Sequence, residues 1–135
     1  DVVETFRYGL HDDHPKRLLI GMIESTEALA NLDEILTVEG IDLFFVGPGD
    51  LSQSMGYAPS VKLGERRPSA VVEAVDDTLR RIRAAGRRAG TLALRQDVAH
   101  LVSVGAQLIY YHADPFLVEG VKQMRATAEE GLHKR

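Results

Sequence analysis

Four short apolar runs, each followed by a segment of helical periodicity, recur along the chain and limit its fold more than any other feature. The first, Leu18-Leu19-Ile20-Gly21-Met22-Ile23, contains no polar residue and ends at Glu24. A short run without alternation predicts a strand buried on both faces. Ser25 or Thr26 then offers a hydroxyl cap, and Ala28, Leu29, Leu32, Ile35 and Leu36 repeat at helical steps until Gly40, which predicts one helix over this stretch. Asp42–Val46 predicts a second buried strand, stopped by the turn Gly47-Pro48-Gly49-Asp50. A short helix from Asp50 to Met55 and a long loop over residues 53–68 are expected next.

From Ser69, the residues Val71, Val72, Val75, Leu79 and Ile82 form one apolar stripe, with acidic residues early, arginines late and Gly86 as the stop. This predicts a long helix. Ala89–Leu94 reads as the third strand, Asp97–Val104 as a helix closed by Gly105, Ala106–Tyr111 as the fourth strand, and Pro115 to about Glu130 as the last helix. Ahead of the first strand, Val2–Leu10 reads as the end of an earlier helix and His11–Lys16 as a polar turn. The order βαβαβαβα predicts an α/β fold with a parallel sheet and right-handed crossovers. A closed (β/α)8 barrel needs at least about 200 residues, and this chain has 135. An open doubly wound sheet, a half-barrel that pairs with another half and a fragment of a longer enzyme all remain open at this point. The chain begins on Asp1 and not on Met, which favours a processed or excised piece.

Composition excludes several functions. Hydrophobic residues make up 44% and charged residues 27%, the balance of a globular domain with a core. Sixteen Lys and Arg against 20 Asp and Glu leave a net charge of -4, so nucleic acid is not an expected partner. The absence of cysteine excludes disulfides, thiolate metal sites and a cysteine nucleophile. No apolar stretch approaches the roughly 20 residues that span a bilayer, and the acidic start is unlike a signal peptide. No membrane partner is expected, and the protein reads as cytoplasmic.

Two carboxylates stand out by position. Glu24 ends the first strand and Asp50 follows the second, at the carboxyl ends of strands, where parallel α/β folds place their ligands. Each alone reads better as a helix cap. Together they converge on one rim and suit a hard divalent ion such as Mg²⁺ or Mn²⁺, with Co²⁺ as a further candidate. The Gly47-Pro48-Gly49 turn lets a ligand approach the backbone, whose N–H groups can hold a carboxylate or phosphate. It is not the dinucleotide fingerprint. His112, at the end of the fourth strand, has an imidazole that titrates near neutrality, and Arg95, after the third, is placed for a substrate carboxylate. Both also read as ordinary loop residues. His11, His14, His100 and His133 show no metal-like spacing, with His100 expected at the surface, and Arg87-Arg88 is expected to face solvent.

Residues 20–52, IGMIESTEALANLDEILTVEGIDLFFVGPGDLS, resemble the HpcH/HpaI aldolase family of divalent-metal-dependent class II aldolases. There a strand ending I-E-[ST] leads to EALxNLDEIL and then to G-[VI]-D-x-x-[FV]-[IV]-G-P-x-D-L-S. The likeness continues to about Gly120 and corresponds to the second half of a (β/α)8 barrel, so residues 1–135 are expected to be one C-terminal half-barrel region. It implies cleavage or condensation of 4-hydroxy-2-keto acids through a pyruvate enolate. It further implies that Glu24 and Asp50 are the metal ligands and that the amides around Gly49 and Asp50 receive the substrate carboxylate. The family's histidine base and keto-binding arginine belong to the other half and match no residue here. Gly49 stands where alanine is frequent, the loop after Met55 lacks a Gly-His-Pro pattern, and Tyr111-His112 replaces a small, Gly-containing strand end. A homo-oligomer, or pairing with an N-terminal half, is the expected assembly. The rival readings are a non-catalytic or truncated half-barrel serving metal binding or assembly, and a phosphate-binding α/β domain.

Overall fold

The computed structural model describes residues 17–57 and 67–133. Its four strands are β1 (Ile20–Ile23), β2 (Leu43–Val46), β3 (Ala89–Leu92) and β4 (Leu108–Tyr110). The helices are α1 (Thr26–Ala30), α2 (Leu32–Ile35), α3 (Pro48–Ser54), α4 (Ser69–Ala84), α5 (Val98–Val104) and α6 (Asp114–His133), with a 3₁₀ turn at Arg95–Asp97. The expected strands are all present, each shorter than the span expected for it. The segments read as the end of an earlier helix and a polar turn, together with most of the long loop, lie outside the described residues.

All three strand pairings are parallel, and the sheet order is β1-β2-β3-β4. A doubly wound sheet reverses its strand order at a switch point, and this one reverses nowhere. The two sheet faces differ accordingly. Ile23, Val46, Thr91 and Ile109 are in register on one face, and the first three are buried with Phe44, Leu32, Leu51, Val75, Leu79 and Ile82 in the helix-covered core. Met22, Phe45, Gly90 and Leu108 are in register on the other. Met22, Phe45 and Leu108 line an open concavity. A sheet with helices on one face and a side-chain-lined hollow on the other is the wall of a barrel.

Local chemistry explains where the expectations shift. The single helix after β1 is broken at Asn31, whose side-chain amide donates to the Glu27 carbonyl at 3.0 Å. The Asn31 backbone N–H keeps its own bond to the same carbonyl at 3.1 Å, so ladder and side chain share one acceptor, and the chain restarts as α2. Ser25 is the cap, its Oγ accepting from the Ala28 N–H at 3.1 Å. Helix α3 begins at Pro48, two residues earlier than expected, because proline at the first helical position has its φ preset and lacks an N–H to satisfy. In α4, Val71, Val75, Leu79 and Ile82 are buried, whereas Val72 is 41% exposed and belongs to the edge of the stripe.

Arg87 corrects the expectation that the basic pair faces solvent. Its guanidinium donates to the carbonyls of Leu36 at 2.5 Å, Val38 at 3.0 Å and Ile41 at 2.7 Å. It also lies 4.9 Å from the centroid of the Phe44 ring. The charge thus satisfies carbonyls at and beyond the end of α2, where a cation also complements the helix dipole. Arg88 is exposed.

Among the described residues, strands β1 and β4 each have a strand neighbour on one side only. Beside β1, Leu18 and Leu19 are each 56% exposed. Along α6, Phe116, Leu117, Val121 and Met124 are exposed. Among the described residues, no helix is long and apolar enough to cross a membrane.

Candidate active site

The concavity on the open face of the sheet has a volume of about 600 Å³ and gathers the ends of all four strands. Because side chains alternate along a strand, Ile20, Met22 and Glu24 share this face of β1 and its extension, as Leu108, Tyr110 and His112 do for β4. Glu24 and Asp50 therefore open onto one space, as the sequence led us to expect.

The end of β2 is held from both sides. The Gly47 N–H donates to the Ile23 carbonyl at 3.0 Å, and the buried Thr91 hydroxyl donates to the Val46 carbonyl at 2.9 Å. Gly47 leaves room there for Glu24, since a Cβ on it would stand 2.8 Å from Glu24 Oε2 and 3.0 Å from Glu24 Cβ. Its bare backbone is the floor on which the Glu24 carboxylate rests. Asp50 sits in the first turn of α3. The far end of that helix is tied back to the segment after Glu24, for the Thr26 N–H donates to Ser54 Oγ at 2.9 Å. One short hydrogen-bonded frame positions both carboxylates.

Glu24 is half-buried and Asp50 exposed. Neither side chain has a hydrogen-bond or ion-pair partner among the described residues. Asp50 is not a cap, because Gly47 occupies that position. The first α3 bond runs from the Leu51 N–H to the Gly47 carbonyl at 3.0 Å, and the N–H groups of Gly49 and Asp50 ahead of it lack intrahelical acceptors. Nothing lies within 4 Å of a Cβ placed on Gly49. Among the described residues, no group of three or more His, Asp or Glu side chains is clustered to hold a metal. A pair of carboxylates with the remaining positions left to water and substrate is the donor set a hard divalent ion takes in a catalytic site.

The other candidates separate. His112 lines the concavity and packs edge-on against Tyr110, with ring centroids 5.1 Å apart. Arg95 is exposed at the start of the 3₁₀ turn. It lines a neighbouring hollow of about 330 Å³ with Tyr111 and His112, not the space shared by Glu24 and Asp50.

Arg67 was missed in the sequence. It lines the concavity and also a second cavity of about 370 Å³ that contains Asp76, Asp97 and His100. Burial lowers its pKa from the ordinary arginine value, and the charge of Asp97 opposes that shift. The one available signal was an Arg-Pro pair directly before the first turn of the long helix α4. His100 is exposed as expected, yet its Nε2 is 2.6 Å from Oδ2 of the buried Asp76. His11 and His14 lie outside the described residues.

The barrel-wall fold and the two carboxylates on its open rim define an α/β protein with a candidate ligand site at the carboxyl ends of its strands. The chain belongs to the HpcH/HpaI aldolase/citrate lyase family, whose family model matches residues 4–111. It is 42% identical over 108 residues to 2-keto-3-deoxy-L-rhamnonate aldolase of Escherichia coli K12, covering 79% of this chain and 39% of that protein. An HpcH/HpaI aldolase/citrate lyase family protein from Burkholderia cenocepacia J2315 superposes with a TM-score of 0.71 at 23% identity, over 91% of this chain and 47% of that one. The citrate lyase beta subunit of M. tuberculosis, complexed with oxaloacetate and magnesium, superposes with a TM-score of 0.58 at 17% identity, over 70% of this chain and 47% of that one. The chain thus spans 39% of the length of the curated relative it matches.

Proposed function

We propose that this chain is the metal-holding half of a (β/α)8 aldolase site that cleaves or forms 4-hydroxy-2-keto acids. The observation that carries the reading is the pair of unpartnered carboxylates, Glu24 and Asp50, opening on one concavity at the carboxyl ends of β1 and β2. Membership of a family of aldolases and lyases supports the reaction class.

A divalent cation held by Glu24 and Asp50, Mg²⁺ or Mn²⁺ in the first instance, supplies the positive charge that stabilises the carbanion left beside the keto group when the carbon–carbon bond breaks. The chain's own groups do the rest of what this half can do. The N–H groups of Gly49 and Asp50 are placed to donate to the substrate carboxylate. Gly47 lets the substrate approach the backbone. Phe45, Leu92 and Leu108 wall the space with apolar surface, which keeps the local dielectric low and strengthens these contacts. The base that takes the 4-hydroxyl proton belongs to the other half of the barrel, with His112 the group on this chain that could replace it, and Arg95 is set aside as a substrate-carboxylate group by its place outside the concavity.

The apolar residues left open beside β1 and along α6 favour assembly, with further copies or with the other half of a barrel. They equally support a second reading, a non-catalytic half-barrel that binds metal or builds an assembly. Phosphate binding through a basic rim has lost its support, since Arg87 is turned into backbone carbonyls. Melting the chain with and without Mg²⁺ tests the site, and pyruvate release from a 4-hydroxy-2-keto acid, with and without an N-terminal half supplied separately, separates the two readings.

A further inference from the structure

We infer that Arg67 is a substrate-binding residue of this site, whose guanidinium takes the carboxylate of the 2-keto acid. The inference rests on the reading of the concavity as a 2-keto acid site. A divalent cation on Glu24 and Asp50 only cancels their two charges, so a further fixed positive charge nearby favours an anionic ligand in that space. Arg67 is the one Lys or Arg among the described residues lining the concavity.

Its position fits. Arg67 shares both of its cavities with Pro48, the residue before Gly49, and with Leu92 at the end of β3. It therefore lies where the turn at Pro48 and the end of β3 meet, and it shares the concavity with Glu24, which follows β1. A guanidinium carries five N–H donors in a planar fork that matches a carboxylate. Those of Arg67 have no hydrogen-bond or ion-pair partner among the described residues. Asp97 acts on it through its charge alone and shares the second cavity with it. A partly buried guanidinium with open donors, lining the same concavity as Gly49 and Asp50, is a fixed positive charge available to an anion there.

The competing role is that of a structural counter-charge to Glu24 and Asp50, and the two roles differ in what they discriminate. Pyruvate and pyruvamide have nearly the same shape and differ in one charge. In the full 135-residue chain with saturating Mg²⁺, calorimetric Kd values for both ligands should show a preference for pyruvate. Arg67→Met should weaken pyruvate binding by about 10- to 100-fold, the range of a lost charge-assisted hydrogen-bonded contact, while changing pyruvamide binding little. Arg67→Lys, which keeps the charge and loses the fork, should fall between. Mg²⁺ affinity should stay within about twofold of wild type, and circular dichroism melting confirms that the variants fold. An unchanged pyruvate-to-pyruvamide ratio in a folded Arg67→Met would overturn the assignment, as would tighter Mg²⁺ binding with intact pyruvate affinity. A wild-type chain that binds Mg²⁺ but neither ligand overturns instead the 2-keto acid reading beneath it.

Discussion

Glu24 Oε2 rests 2.8 Å from the point that a Cβ on Gly47 would occupy. A candidate metal-binding carboxylate just after one strand is thus positioned by the missing side chain of a residue just after the next, and Gly47 is as much a part of the candidate site as the groups that carry charge. Gly47→Ala should displace the Glu24 carboxylate, lower stability by about 1–3 kcal/mol through overpacking, and weaken Mg²⁺ binding. Gly49→Ala, with nothing within 4 Å of the added methyl, should be neutral or stabilising by roughly 0.4–1 kcal/mol. Denaturant melts of the two variants side by side measure both effects. Equal losses in the two would show that the close packing at Gly47 is not what distinguishes them.

Arg87 should act as a structural clamp. Its three carbonyl acceptors belong to residues 46 to 51 positions earlier in the chain. Arg87→Met keeps the stem but strips those carbonyls of their donor, which should cost about 2–4 kcal/mol. Arg88→Met, at an exposed position, should stay within about 0.5 kcal/mol of wild type. Urea midpoints decide between this clamp and a solvated arginine, for which both substitutions would be silent.

The same residue shows how far the sequence could be read. Strands and helices were legible because each apolar run ends where a polar residue interrupts it, and Glu24 and Asp50 were visible as carboxylates at those ends. The break at Asn31 was not, since it depends on one side-chain amide sharing the Glu27 carbonyl within an otherwise regular stripe. Arg87 looked like a solvated base after a helix stop because its partners are distant in sequence. Arg67 was hidden for the same reason. Its neighbours in the concavity, Pro48 and Leu92, come from opposite sides of it in the chain, and only the closing of the sheet brings them together.

Assembly follows from the open edges. With β1 and β4 each lacking a second neighbour among the described residues and Met124 on α6 75% exposed, the chain at micromolar concentration should not be monomeric. Multi-angle light scattering should return at least twice the mass of 14.9 kDa. A stable monomer would show that these apolar surfaces need no cover.

Turnover should be poor in the chain alone, even with metal. General-base catalysis contributes about 10²–10⁴-fold, and His112 is the single imidazole among the described residues lining the concavity. Adding an N-terminal half-barrel as a separate polypeptide should restore pyruvate release, and Asp50→Asn should abolish the gain. Vigorous turnover without that half would place the base on this chain, and His112→Ala should then remove the rate while leaving Mg²⁺ affinity intact.

The central claim is that Glu24 and Asp50 form one metal site, and the most direct measurement is the melting temperature of the chain across a Mg²⁺ or Mn²⁺ titration. Binding to the native state adds RT ln(1 + [L]/Kd), about 2.7 kcal/mol at a hundred times Kd. Wild type should therefore rise in melting temperature with metal, and the Glu24→Gln, Asp50→Asn double variant should not. The same rise in both proteins would contradict the assignment.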